Sequence, residues 1–125
     1  MRLLLDTQVV YLWTVADAAL PQRVAAALSD ARNHASISAA SFWELAIKRA
    51  KGKLAWPPDG FDVLLDSSFG SLPITPRHAI AAGQLPPHHA DPFDRILVAQ
   101  AIAEDLTLVG GDPIFRSYGL SVLWD

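Results

Sequence analysis

Leu3-Leu4-Leu5-Asp6-Thr7 begins the chain's first structural unit, an apolar run that ends at an acid and a threonine. A short apolar run bounded by polar residues predicts a buried strand over 2–5, and the acid or the threonine suits the N-cap of a following helix. The same succession of strand and helix recurs along the chain. Strands that are apolar on both faces and alternate with helices predict a parallel sheet covered on both sides. We therefore predict a single α/β domain over 1–125, with about four to five strands flanked by helices.

The other elements are predicted from apolar periodicity and from the proline, glycine and serine residues at their ends. Strands are predicted over 34–37, 72–74, 107–109 and 120–123. Helices are predicted over 9–15, 22–32, 38–51, 61–67, 75–82 and 91–105, with a helical turn over 113–116. The segment 83–90, which contains His88 and His89, is predicted to be an exposed loop because its histidines lack the spacing of zinc ligands.

The composition describes a compact protein with an apolar surplus. The chain has 125 residues, of which 51% are hydrophobic and 18% charged, so we expect part of its surface to cover a partner or a second copy. Cysteine is absent, and no apolar run is long enough to span a bilayer or to act as a signal peptide. These features predict a cytoplasmic protein without thiolate metal sites.

The net charge of −3 argues against a protein that coats nucleic acid over a broad surface. Four of the ten basic residues nevertheless lie close together, at Lys48, Arg49, Lys51 and Lys53. This cluster suits contact with a phosphate, and it equally suits the C-terminal end of a solvated helix.

Four acids, distant in sequence, each interrupt an apolar segment: Asp6, Glu44, Asp94 and Asp112. A carboxylate at the edge of a core is unfavourable unless a cation or hydrogen bonds compensate it. Asp6, Asp94 and Asp112 each have a simpler interpretation as helix-capping groups, and so does Asp91. Glu44 has no such interpretation, and capping alone does not predict that all four acids face one cleft.

The predicted topology directs these acids to the same edge of the sheet. Asp6 and Asp112 follow strands, and ligands of open parallel sheets bind beyond the carboxyl ends of the strands. Asp94 shares a helical face with the apolar residues Leu97, Val98, Ala101 and Ile102, so it is predicted to point inward. Oxygen ligands without cysteine favour Mg²⁺ or Mn²⁺ over zinc. A metal of this kind activates water and neutralises a scissile phosphate.

The sequence resembles a PIN domain, and more narrowly the VapC toxins of bacterial type II toxin–antitoxin pairs. The resemblance covers essentially the whole chain, and it is carried by the segments 3–7, 41–48, 89–101 and 106–112, of which Asp91 to Ala101 (DPFDRILVAQA) is the most specific. It implies that Asp6, Glu44, Asp94 and Asp112 are an acidic quartet that binds Mg²⁺ or Mn²⁺ and cuts RNA. It also implies a dimer and a small cognate antitoxin.

Two positions bear on the details of this resemblance. Thr7 matches a hydroxyl residue that often follows the first acid of the family. Gly110 departs from the family, which commonly has threonine or serine two residues before the last acid.

The main hypothesis is therefore an endoribonuclease. Asp6 and Asp94 would hold the principal metal, and Glu44 and Asp112 would complete the site. Lys48 and Thr7 are predicted to contact the substrate, Lys48 because it shares a helical face with Glu44. The alternatives are a catalytically weak module that binds RNA or a protein through the same cleft, and a phosphatase or phosphotransfer domain. A phosphatase or phosphotransfer domain of this class usually has a second acid close behind the first, and Asp6-Thr7-Gln8 lacks one.

The predicted partners are RNA and an antitoxin that covers apolar surface on the first helices and inserts a basic side chain into the acidic cleft. Trp13, Trp43 and Trp56 motivate this prediction because aromatic residues concentrate at interfaces. The alternative is that these tryptophans belong to the core, above all Trp43. A homodimer or a toxin–antitoxin hetero-oligomer is expected, with no membrane association.

Overall fold

A computed structural model describes all 125 residues and contains one five-stranded sheet in which every strand pair is parallel. The strands are β1 (Arg2–Leu5), β2 (His34–Ser38), β3 (Gly70–Leu72), β4 (Thr107–Val109) and β5 (Val122–Leu123). Their order across the sheet is β3-β2-β1-β4-β5. The predicted α/β class and number of strands are confirmed, and β1 is the central strand.

Six helices connect and cover the strands: α1 (Thr7–Thr14), α2 (Gln22–Ser29), α3 (Ala39–Ala50), α4 (Gly60–Leu65), α5 (Pro76–Gln84) and α6 (Pro92–Ala103). A 3-10 helix over Pro113–Tyr118 follows β4. None of the helices is both long and apolar enough to cross a membrane.

Alternation along β1 divides the core between the two faces of the sheet. Leu3 and Leu5 pack with residues of α1 to α4, whereas Leu4 packs with α6 and the 3-10 helix. All three leucines have no exposed surface. Because successive strand residues point to opposite faces, an unbroken apolar run is the pattern that a central, doubly covered strand requires.

Several predicted element bounds are wrong, and most of the helices differ by one or two residues at an end. The third strand lies at Gly70–Leu72 instead of 72–74, because Pro73 lacks a donor for the ladder and Thr75 already caps α5. The second helix ends at Ser29 because Asp30 adopts an extended backbone, and the last strand is confined to Val122–Leu123. These differences leave the topology unchanged.

Candidate functional site

A single cleft at the carboxyl edge of the sheet is lined by all four predicted acids, Asp6, Glu44, Asp94 and Asp112. Its volume is about 510 Å³, and Thr7, Lys48 and Asp91 also line it. The acids come from four different parts of the fold: the β1–α1 junction, α3, the first turn of α6, and the residue before the 3-10 helix. Parallel strands bring these segments together because all their carboxyl ends meet at one edge.

Asp6 is the most deeply buried of the four, with 8% of its surface exposed. Its backbone N–H donates to the carbonyl of Val109 at 2.9 Å, which ties the β1 end to β4. Asp6 occupies the N-cap position of α1, as its interpretation as a cap predicts, but its side chain makes no capping hydrogen bond. Burial, followed by the charges of Asp94 and Glu44, raises the pKa of Asp6 to about 7.

Asp94 points inward as predicted, and its side chain is 20% exposed. Its pKa rises to about 6, first because of burial and then because of the negative charges of Asp91 and Glu44.

The helical face that carries Asp94 is mostly apolar, and Leu97 and Val98 on it are fully buried. Ile102 is 52% exposed, so its predicted inward position is wrong. It is rotated by about 80° from Asp94 around the helix axis, which turns it out of the core.

Glu44 forms an ion pair with Lys48, one helical turn further along α3, at 3.1 Å between Oε2 and Nζ. The Glu44 side chain is 13% exposed, and its other oxygen, Oε1, is buried without a hydrogen-bond partner. A carboxylate oxygen that is buried without a hydrogen-bond partner destabilises the fold, and a bound cation offsets this cost most effectively.

Asp91 and Asp112 are exposed helix caps at the rim. The Asp91 carboxylate accepts from the N–H groups of Phe93 at 2.9 Å and Asp94 at 3.3 Å. The Asp112 carboxylate accepts from the N–H of Ile114 at 3.0 Å. Both capping interpretations are confirmed. Asp112 nevertheless keeps a place in the cleft, so its cap also directs it toward the other acids.

Thr7 and Gly110 pack tightly around Asp6. The Thr7 hydroxyl is buried and donates to the Ser41 hydroxyl at 3.0 Å, which joins α1 to α3. A Cβ atom at Gly110 would lie 3.0 Å from Cβ of Asp6 and 3.0 Å from the ring of Phe115. The absence of a side chain at Gly110 therefore makes room for the buried acid, which gives a packing reason for this glycine.

His89 lies beside the site, and sequence reasoning did not single out its side chain. Its Nε2 lies 3.5 Å from Oδ2 of Asp94, and its side chain is 18% exposed. The prediction of an exposed loop is therefore wrong at this residue, although it is correct for His88. The hydrogen-bond partner of His89, Tyr118, is 29 positions away, and no local pattern signals a contact at that separation.

The donor chemistry of the cleft fits a hard divalent cation, since four carboxylates converge without sulfur ligands. The unpartnered Oε1 of Glu44 is an oxygen that a cation would satisfy. The side chains are not gathered into a coordination sphere, however: no group of three or more acids or histidines is arranged to hold a metal ion. Binding an ion would require the carboxylates to close around it.

The family model of the PIN domain matches residues 3–120 of this chain. The chain belongs to the PIN-domain family. The resemblance seen in the sequence is thereby confirmed for the family, and the five-stranded parallel sheet is its fold.

Solved structures of similar fold include VapBC2 from Rickettsia felis bound to a promoter DNA fragment, with a TM-score of 0.78, 20% identity and 100% of each chain covered. DNA-bound VapBC from Salmonella typhimurium has a TM-score of 0.74 at 21% identity and covers 98% of this chain and 97% of its own. VapBC-5 from Mycobacterium tuberculosis, described as a member of the VapBC family of toxin–antitoxin systems, has a TM-score of 0.65 at 16% identity, with 99% and 98% covered. A search of curated proteins gives no match.

Proposed function

We propose that this PIN domain is a divalent-metal-dependent endoribonuclease and the toxin of a type II toxin–antitoxin pair. The observation that carries the proposal is the convergence of Asp6, Glu44, Asp94 and Asp112 on one cleft. Two of these acids have strongly raised pKa values because their charges are buried near one another. Perturbed titratable groups in a cleft are typical of a functional site, and a cation compensates such a cluster.

Asp6 and Asp94 would hold the principal metal, with Glu44 and Asp112 completing the site. When bound, Mg²⁺ or Mn²⁺ supplies an activated water and neutralises charge on the scissile phosphate. The burial of Asp6 and Asp94 excludes water from the oxygens that face the ion, which strengthens their attraction to it. Because these pKa values are raised, ion binding at a pH below them would displace a proton from each carboxyl.

Lys48 is the only basic residue that lines the cleft. It is paired with Glu44, and its side chain is still 46% exposed. With Glu44 holding an ion, Lys48 would be available to bind a phosphate of the RNA, which is the substrate role proposed for it. Thr7 also lines the cleft, but its hydroxyl is already bonded to Ser41. We therefore assign Thr7 the role of fixing the start of α1 behind Asp6, in addition to any contact with substrate.

The test compares wild type with Asp6→Asn and Asp94→Asn in cleavage of a single-stranded RNA pool with Mn²⁺ and with a chelator. Asp62→Asn is the matched control because Asp62 is an exposed acid on α4 outside the cleft. We expect cleavage by wild type and the control only with metal, and a loss of at least about 100-fold in the two cleft variants. Cleavage by Asp6→Asn at the wild-type rate contradicts the proposal. Wild type that neither binds Mn²⁺ nor cleaves RNA supports the binding module instead.

We propose that the antitoxin contact is centred on Trp43. This side chain is 63% exposed and packs edge-to-face on Phe93 at 5.3 Å between ring centroids, so its interpretation as a core residue is wrong. Trp13 and Trp56 are half-buried and pack against the core.

The substitution Trp43→Ser tests this contact. It should weaken binding of the cognate antitoxin by at least about 10-fold, as expected for an aromatic anchor, without lowering RNA cleavage. Equal antitoxin affinity in the variant argues against this surface.

A further inference from the structure

The loop between α5 and α6 is held in place by Arg95. The guanidinium of Arg95 donates to four backbone carbonyls: Ala82 at 2.8 Å, Leu85 at 3.0 Å, Pro86 at 3.0 Å and His89 at 3.3 Å. Arginine offers five donors in a rigid, planar arrangement, so one side chain can fix several carbonyls at once. The backbone of the loop is therefore anchored without help from the His89 side chain.

The His89 ring lies between Tyr118 and Asp94. Its Nδ1 is 2.6 Å from the Tyr118 hydroxyl, and its Nε2 is 3.5 Å from Oδ2 of Asp94. The Nε2 atom is buried and has no hydrogen-bond partner. When Tyr118 donates to Nδ1, the ring proton is on Nε2, facing the carboxylate, because the bond made by one ring nitrogen sets the state of the other. The 3.5 Å approach lies at the outer limit of hydrogen-bond distance.

We propose that His89 is a positioning residue for Asp94, oriented by Tyr118. Its Nε2–H holds Oδ2 of Asp94 and leaves the other oxygen to face the cleft. Outer hydrogen bonds of this kind orient carboxylate ligands, and their removal lowers metal affinity or activity by about 10- to 100-fold. Since the loop is anchored by Arg95, the side chain of His89 has a role beyond holding the loop. This inference rests on the proposed function, because it assigns Asp94 a bound ion.

Four variants test the role of His89. His89→Phe keeps the ring volume and removes both nitrogens, whereas His89→Gln retains an N–H near the position of Nε2. Tyr118→Phe removes the hydroxyl that orients the imidazole. His88→Phe is the matched control, because His88 is exposed in the same loop. Its ring packs edge-to-face on Tyr118, and it forms no ion pair with Asp94.

The measurements are the Mn²⁺ dissociation constant by calorimetry, kcat and KM for RNA cleavage, and the thermal midpoint. For His89→Phe we expect about 10-fold weaker Mn²⁺ binding and a similar loss in kcat, with KM nearly unchanged. His89→Gln should stay within about 3-fold of wild type, and Tyr118→Phe should have no further effect in the His89→Phe background. His88→Phe should match wild type.

Two results from the variants overturn the inference: wild-type Mn²⁺ affinity in His89→Phe, and a loss in His89→Gln as large as that in His89→Phe. The ring of the wild-type protein gives a test that does not require a folded variant. Nitrogen chemical shifts should show a proton on Nε2 of His89, and a ring that carries its proton on Nδ1 alone overturns the inference. Failure of the proposed function is distinct, since wild type itself then neither binds Mn²⁺ nor cleaves RNA, and the inference fails with it.

Discussion

At the scale of single residues, the site is dominated by the buried carboxyl of Asp6, whose pKa is raised to about 7. In the unfolded chain this group has its ordinary pKa of 3.8. Between pH 3.8 and about pH 7 the folded protein therefore holds a proton on Asp6 that the unfolded chain has lost. The contribution of Asp6 to stability is fully present below the unfolded pKa. It is lost as the pH rises through the folded pKa. In the absence of a metal, the charged cleft works against the fold.

The first prediction concerns Asp6→Asn in metal-free protein. At about pH 8 the variant should be more stable than wild type by roughly 2 kcal/mol, because it removes a buried charge, and the difference should shrink toward pH 5. Urea denaturation over this pH range gives the free energy of unfolding. Asp62→Asn should show no comparable trend. Lower stability of Asp6→Asn at the alkaline end contradicts the assigned burial of charge.

The second prediction concerns Gly110, which packs against Asp6 and Phe115. Gly110→Ala should lower the free energy of unfolding by roughly 1–3 kcal/mol, because its new methyl group is crowded by both neighbours. It should also weaken Mn²⁺ binding by displacing Asp6. Gly83→Ala is the control, since a Cβ there meets no atom within 4 Å and alanine favours a helix. A fully stable Gly110→Ala protein with normal Mn²⁺ affinity would show that the crowding is easily relieved.

At the scale of elements, α6 combines a capped N-terminus with a face that is buried below the cleft. The Asp91 cap satisfies two backbone N–H groups, and Pro92 occupies the first turn. Leu97 and Val98 then bury the same face that carries Asp94. The cap that begins the helix also places a second negative charge beside Asp94, so helix stability and the pKa of the site residue are linked.

The third prediction separates these two effects of Asp91. Asp91→Asn retains a capping oxygen and removes the charge, so it should lower the pKa of Asp94 with little change in stability. Asp91→Ala should lower the same pKa and also cost about 1 kcal/mol through loss of the cap. Carboxyl NMR titration gives the pKa, and thermal unfolding gives the stability. If Asp94 titrates identically in both variants and wild type, the charge of Asp91 is screened.

At the scale of the whole molecule, the sheet brings together charges that a divalent cation can neutralise. A ligand that binds only the folded state stabilises it by mass action, by about 2.7 kcal/mol when its concentration is one hundred times the dissociation constant. An ion bound as proposed would compete with protons for Asp6 and Asp94, whose raised pKa values lie near 7 and 6. Metal-induced stabilisation therefore depends on pH.

The fourth prediction follows from this competition. Millimolar Mn²⁺ should raise the thermal midpoint of the wild-type protein clearly at about pH 8 and much less at about pH 5.5, where both acids hold protons. Differential scanning fluorimetry measures the shift. Asp6→Asn should lose most of the effect at the higher pH, and Asp62→Asn should retain it. An equal shift at both pH values would indicate that the ion binds outside the acidic cleft.

The sequence by itself determined the α/β class, the parallel sheet and the expectation that Asp6, Asp94 and Asp112 lie toward one edge of it. The reason is physical: a short apolar run such as Leu3-Leu4-Leu5, bounded by polar residues, suits a strand covered on both faces, and parallel strands end at one edge. The acid that follows such a strand must lie at that edge. The motif from Asp91 to Ala101 placed Asp94 on the buried face of a helix in the same way, through helical periodicity.

Only the tertiary structure decided how these groups interact. Local patterns specify which face of an element is apolar, but they do not specify which distant side chain meets it. The Thr7–Ser41 and His89–Tyr118 contacts, the burial of Asp6 against Gly110 and the exposure of Trp43 depend on packing between segments far apart in sequence. The raised pKa values arise from that packing as well, because burial and the distance between charges exist only once the chain has folded.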